Sequence, residues 1–137
     1  MKKILLLAVS LAVIPSASYA AGNHDAVMAA LTEAAKAADS GFGGFSADAG
    51  QALFLGTHTG GKPDTPSCTT CHTKDPAATG QTRAGKAIDP MAGSANPGRF
   101  TDLAKVEKWF GRNCNTVLGR DCTAQEKGDV ATWLLSK

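Results

Sequence analysis

This chain of 137 residues has little charge of one sign to spare. Its 14 Lys and Arg stand against 12 Asp and Glu, and two of the basic residues, Lys2 and Lys3, fall in what reads as a leader. Without them the formal charge is zero. No basic patch stands out of the kind that holds nucleic acid or an anionic membrane surface. Long apolar runs are also missing. The longest, Ile4 to Ile14, is broken by Ser10 and falls well short of the roughly 20 residues a bilayer span needs. β-branched residues are sparse in an Ala- and Gly-rich remainder, which disfavours sheet and leaves helices and loops.

The apolar run has another use. Lys2-Lys3 before it and Ser18-Tyr19-Ala20 after it, with small residues at −3 and −1, form a secretory signal cleaved after Ala20. Residues 1–20 are then a signal peptide and residues 21–137 one small domain, exported to a bacterial periplasm. Disulfides persist in that compartment.

What the remainder does contain is Cys68-Thr69-Thr70-Cys71-His72. This is the C-x-x-C-H pattern of covalent haem c attachment: two thiols for the haem vinyl groups and an adjacent imidazole for the iron. A zinc site would need a second ligand pair of similar spacing. Cys114 and Cys122 are eight apart with no His nearby. A redox dithiol would need a βαβ setting, and none is visible. One covalently bound haem c, with Cys68 and Cys71 as thioether positions and His72 as the proximal iron ligand, is the expectation.

Around this stretch the pattern is helical. Val27, Ala30, Leu31, Ala34 and Ala38 share one stripe of a helix over His24–Asp39. Ser46 reads as the N-cap of a second helix, about Ala47 to Leu55, whose Phe54 faces the haem or the terminal helix. Gly56–Ser67 is a glycine-rich loop containing His58. Lys74–Gly98 is a long irregular segment, unusual in a compact domain unless it wraps a site. In or beside it, Arg83, Lys86 and Arg99 are candidates to pair with haem propionates. A third helix begins after Thr101 with Asp102 at its positive end. A fourth begins at Thr123, with Glu126 three residues later completing a capping box, and presents Val130, Trp133 and Leu134 on one face.

The second iron ligand decides the function. Met91, in a Pro-containing loop, is the only Met beyond His72 and would make an ordinary His/Met electron carrier. Its alternative role is a soft filler at the haem edge. His58 and His24 are the nitrogen candidates, the one in a flexible loop and the other near the new N-terminus. Asn113 is less obvious. It continues the apolar stripe Leu103, Val106, Phe110, where an unpartnered buried amide would cost about 1–3 kcal/mol, unless it caps the helix C-terminus. With two thiols consumed by haem, Cys114 and Cys122 are left to pair across Asn115–Asp121. A bridge over so short a loop is worth about 2–3 kcal/mol and would fasten the chain directly after Asn113.

The run Trp109-Phe110-Gly111-Arg112-Asn113-Cys114-Asn115, closing at Cys122, resembles the sphaeroides haem protein (SHP) family of oxygen-binding class I cytochromes c, related to cytochrome c″. The likeness runs from the haem motif through Pro90-Met91, Asn96-Pro97 and Arg99-Phe100 to the terminal helix. It implies an all-α, cytochrome c-like domain with an additional N-terminal helix and long haem-wrapping loops. It also implies that the residue before the first disulfide cysteine, here Asn113, is the distal ligand of the ferric state. The reduced protein would then bind a diatomic gas (O₂, NO or CO) and exchange electrons with a dihaem cytochrome. A haem enzyme acting on peroxide or a nitrogen oxide would be expected to show a distal His/Arg pair, and none is seen.

Overall fold

A computed structural model describes residues 23–137. The expected signal peptide lies outside the described residues. The helices are α1 (His24–Ala38), α2 (Ala47–Leu55), the single turn α3 (Thr69–His72), α4 (Leu103–Leu118) and α5 (Ala124–Leu135). The fold is all-α apart from one small hairpin, β1 (Gly80–Gln81) and β2 (Ala87–Ile88), antiparallel with Gly80 opposite Ile88.

The core is assembled on α5, against which α1 and α2 both pack. Its capping box forms as its sequence predicts: Glu126 N donates to Thr123 Oγ1 at 3.1 Å, and Thr123 N to Glu126 Oε2 at 2.8 Å. Burial goes further than the predicted Trp face. Gly128, Asp129 and Ala131 are buried together with Val130, Trp133 and Leu134. The Asp129 carboxylate is satisfied there. Its Oδ1 accepts from Ser46 N at 2.7 Å and from Gln125 Nε2 at 2.8 Å, which fixes the start of α2 on α5. Ser46 caps α2 as expected, accepting from Ala49 N at 3.2 Å.

Two glycines allow this packing. A Cβ on Gly50 would fall on the Asp129 carbonyl, and one on Gly128 would fall in the Phe45 ring. Gly50→Ala must therefore part α2 from α5. The expected loss is about 1–3 kcal/mol, seen as a lower urea midpoint at unchanged m-value.

On α1 the buried residues are Val27, Leu31 and Ala35, while Ala34 and Ala38 are exposed. A stripe made largely of alanine carries little phase information, and the two larger side chains set the face. α4 runs on past Asn113, which therefore does not cap its C-terminus. It starts at Asp102, whose Oδ1 accepts from Lys105 N at 3.1 Å, and ends at Gly119 in the left-handed region at φ 72°. The disulfide Cys114–Cys122 ties its last turns to the start of α5, with Cα atoms 5.6 Å apart.

Within that turn Arg120 donates to both carboxylate oxygens of Glu126, at 2.8 and 2.6 Å. This guanidinium holds Glu126 below the ordinary carboxylate range of 4.5, against the opposing effect of burial. A depressed folded-state pKa stabilises above the unfolded value, and that contribution is lost as pH falls through the folded value. Glu126→Gln should therefore flatten the acid limb of the stability curve below the unfolded carboxylate pKa, and should lower stability at neutral pH. Melting curves of both proteins between about pH 7 and pH 3 read the difference.

Candidate functional site

Ser67 positions the C-x-x-C-H turn. Its buried hydroxyl accepts from Thr69 N at 3.2 Å, bonds Thr69 Oγ1 at 2.8 Å and donates to Phe54 O at 3.4 Å, so the motif is anchored to α2. His72 N then donates to Cys68 O at 3.0 Å, closing one helical turn. Cys68, Cys71 and His72 stand at i, i+3 and i+4 of that turn and share a face. β1 packs on the other side, where Gly80 lies so close that a Cβ would meet the Cys71 carbonyl. This hairpin, inside the segment expected to be irregular, is a positioning element that sequence reading missed. Two-residue strands leave no periodicity to detect.

The shared face opens into a cavity of about 870 Å³. Cys68, Cys71 and His72 line it together with Val106, Phe110, Asn113 and Val117 of α4. Phe54, Phe100, Met91 and Leu134 complete its apolar lining. Phe54 also packs on Trp133, with ring centroids 5.2 Å apart, and lies 6.0 Å from the His72 ring. Two non-glycine residues with positive φ flank the site, Thr73 at 64° directly after the motif and Phe100 at 56° in the wall. Such conformations cost about 1–3 kcal/mol each and collect where a site dictates the backbone.

The thiols of Cys68 and Cys71 are unpaired. Burial, with a smaller contribution from Cys71, pushes Cys68 up to about 11. That is opposite to the lowered value a redox dithiol needs. Among the described residues no three His, Cys, Asp or Glu side chains gather as a metal site, so the zinc reading has no ligand set. Burial first, and the Arg99 charge second, lower His72, favouring the neutral imidazole that ligates iron. Its Nδ1 is buried without a hydrogen-bond partner among the described residues, and the residue lines the cavity. An apolar space this large, with two thiols and an imidazole on one wall, fits a covalently held haem.

The candidates for the other axial position separate. His58 Nε2 meets Leu53 O at 2.9 Å and His24 Nε2 meets Pro97 O at 3.0 Å, so each is engaged with a backbone carbonyl. Met91 lines the cavity, but its loop is tied to the stretch just after His72. Met91 N and Ala92 N both donate to Pro76 O, at 2.8 and 2.9 Å. Asn113 comes from α4, which does not pack closely on α3. It makes no side-chain hydrogen bond among the described residues, whereas Asn115 donates to Gly111 O at 2.8 Å and to Asp121 Oδ1. Of the propionate candidates all three line the cavity. Arg83 is already paired with Asp64 at 2.6 Å, and Arg99 donates to Asp89 O at 2.6 Å and Pro90 O at 3.0 Å.

The chain is 52% identical over 137 residues, the whole of both proteins, to the cytochrome c-type protein SHP of Cereibacter sphaeroides. It belongs to the SHP family. A family model described as a domain of unknown function (DUF1924) matches residues 40–134. Cytochrome c″ of Methylophilus methylotrophus is 43% identical over 72 residues, covering 52% of this chain and 50% of that protein. The solved structure of oxidised SHP, described as an oxygen-binding cytochrome c, matches with TM-score 0.75 and 54% identity, over 83% of this chain and 96% of that one. Oxidised cytochrome c″ matches with TM-score 0.71 and 33% identity, over 84% and 94%. This SHP-family chain is thus a monohaem c-type cytochrome carrying one covalently bound haem c. No helix among the described residues is long and apolar enough to cross a membrane.

Proposed function

We propose that this cytochrome is a redox-gated binder of diatomic ligands in the periplasm, with residues 1–20 as its cleaved leader. Cys68 and Cys71 hold the haem, His72 is the proximal ligand, and Asn113 is the distal ligand of the ferric state. When bound, the haem would supply an iron that changes oxidation state by one electron. His72 would hold it in both states. The Asn113 amide oxygen is a neutral, hard, weak donor that suits ferric iron better than ferrous. Its hold would therefore be weaker on reduced iron, which would leave room for O₂, NO or CO. Its Nδ2 amide is then a hydrogen-bond donor beside the vacated position. The electron comes from another cytochrome, a dihaem protein by the family resemblance.

The observation that carries this reading is Asn113 itself. It is a polar side chain on the cavity stripe of α4 with no side-chain hydrogen bond among the described residues, next to a disulfide that fixes it. The oxygen-binding description of the SHP relative, which shares the full length of this chain, supports it. Titrating the reduced holoprotein with CO tests it. A high-spin ferrous spectrum converted by CO is expected. A low-spin ferrous form that ignores CO, with a Met–iron charge-transfer band when oxidised, would return the assignment to Met91 and an ordinary electron carrier.

A further inference from the structure

We infer that one face of α4 is the docking surface for an acidic face of the electron-donating protein, with Trp109 at its centre. This rests on the electron exchange in the proposed function, but not on the identity of the distal ligand. Trp109 is 47% exposed, the most exposed of the large apolar side chains among the described residues. It also lines the haem cavity. A partner that covers it is therefore one side chain away from the cofactor space. Lys108 Nζ stands 5.8 Å and the Arg112 guanidinium 5.6 Å from its ring centroid, within cation–π range. Lys105, Lys108, Trp109 and Arg112 fall at i, i+3, i+4 and i+7, a single stripe beside the one that carries Asn113.

The local charge points to an acidic occupant. Glu107, the carboxylate within this stretch, pairs with Lys127 of α5 and not with the stripe. Around the cavity, Lys62, Arg83, Lys86, Arg99, Lys105 and Arg112 stand against Asp89, against Asp102, which pairs with Lys105 at 3.5 Å, and against Asp64, which pairs with Arg83. Two propionates would still leave that rim positive, on a mature chain of formal charge zero. The molecule is therefore a dipole with its positive end at the haem mouth, and such a field orients an incoming acidic protein. The step is a single electron transfer. The partner's reduced centre loses one electron and the ferric site gains it, and any release of Asn113 follows that transfer and is no part of it.

An acidic [2Fe–2S] ferredoxin serves as the probe, with photoreduced lumiflavin as a small neutral reductant. At low ionic strength, reduction of the ferric holoprotein by reduced ferredoxin should fall about fivefold in Lys108→Glu and more than about tenfold in Lys108→Glu/Arg112→Glu. The lumiflavin rate of Lys108→Glu should stay within about twofold, and added salt should erase the ferredoxin difference. Oxidised ferredoxin, which binds without reacting, should shift the Trp109 indole N–H and the amides of residues 105–112 in NMR spectra of the ferric protein. A ferredoxin rate untouched by charge reversal, an equal loss with lumiflavin, or shifts confined to another face would each overturn the proposal. Failure of CO binding would leave these measurements standing, so the two readings fail separately.

Discussion

Asn113→Ala should convert the ferric protein to a high-spin or water-ligated spectrum and leave the ferrous spectrum nearly unchanged. The asymmetry follows from donor chemistry. An amide oxygen contributes to the ferric site and little to the ferrous one, so its removal registers mainly in the oxidised state. α4 runs unbroken past this position to Leu118, and Val106, Phe110 and Val117 keep their places in the cavity wall. The change is then one of ligation and not of fold. Asn113→Met should act in the opposite sense. A thioether is soft, holds ferrous iron well and raises the potential. The expected rise is on the order of 100 mV, about a fiftyfold shift in the redox equilibrium, and CO should be largely excluded from the reduced protein. Spectra in both oxidation states, a potentiometric titration and a CO titration read all three effects. A ferrous spectrum that changes in Asn113→Ala while the ferric one does not would remove Asn113 from the iron.

How far that residue was legible depends on the kind of signal. The starts of α2, α4 and α5 could be read because Ser46, Asp102 and Thr123 cap them with side-chain hydrogen bonds specified within three residues. Cys68-x-x-Cys71-His72 could be read because one turn brings its three groups to one face. Asn113 could be read only as an anomaly, a polar residue on an apolar stripe with capping as the competing explanation. Removing that explanation required the helix end, and Gly119 lies six residues further on. Backbone-mediated features left no trace in the pattern of residue types. The tie from Met91 and Ala92 to the Pro76 carbonyl, which sets Met91 beside the His72 stretch, is an example. The β1–β2 hairpin against Cys71 is another. Trp109 stands next to Phe110 of the stripe in sequence, but its exposure and its place on the cavity rim are tertiary facts.

Removing the haem should unfold most of this domain. Cys68→Ala/Cys71→Ala leaves no thiol at the attachment positions, and expression without covalent haem should give a chain with little of the helical far-UV circular dichroism of the holoprotein. The size of the cavity is the reason. Without the haem, the apolar wall that includes Phe54, Phe100, Val106, Phe110 and Leu134 faces a space of about 870 Å³ and loses the burial the ring would give it, about 25 cal/mol per Å² of apolar surface. Native stability is about 5–15 kcal/mol. That burial is a large share of what a domain this small can gather. Collapse is not a cheap escape. α4 borders the space and is fastened by Cys114–Cys122 to α5, while α3 is anchored through Ser67 to α2. α2 and α5 meet backbone to backbone at Gly50 and cannot close further. The most that should survive is the α1–α2–α5 cluster around Leu31, Phe54 and Trp133, as a compact state without fixed packing. Near-UV circular dichroism and urea titration of the double variant distinguish the outcomes. A cooperative transition with the holoprotein's m-value would mean that the cavity closes by a route its anchors do not suggest.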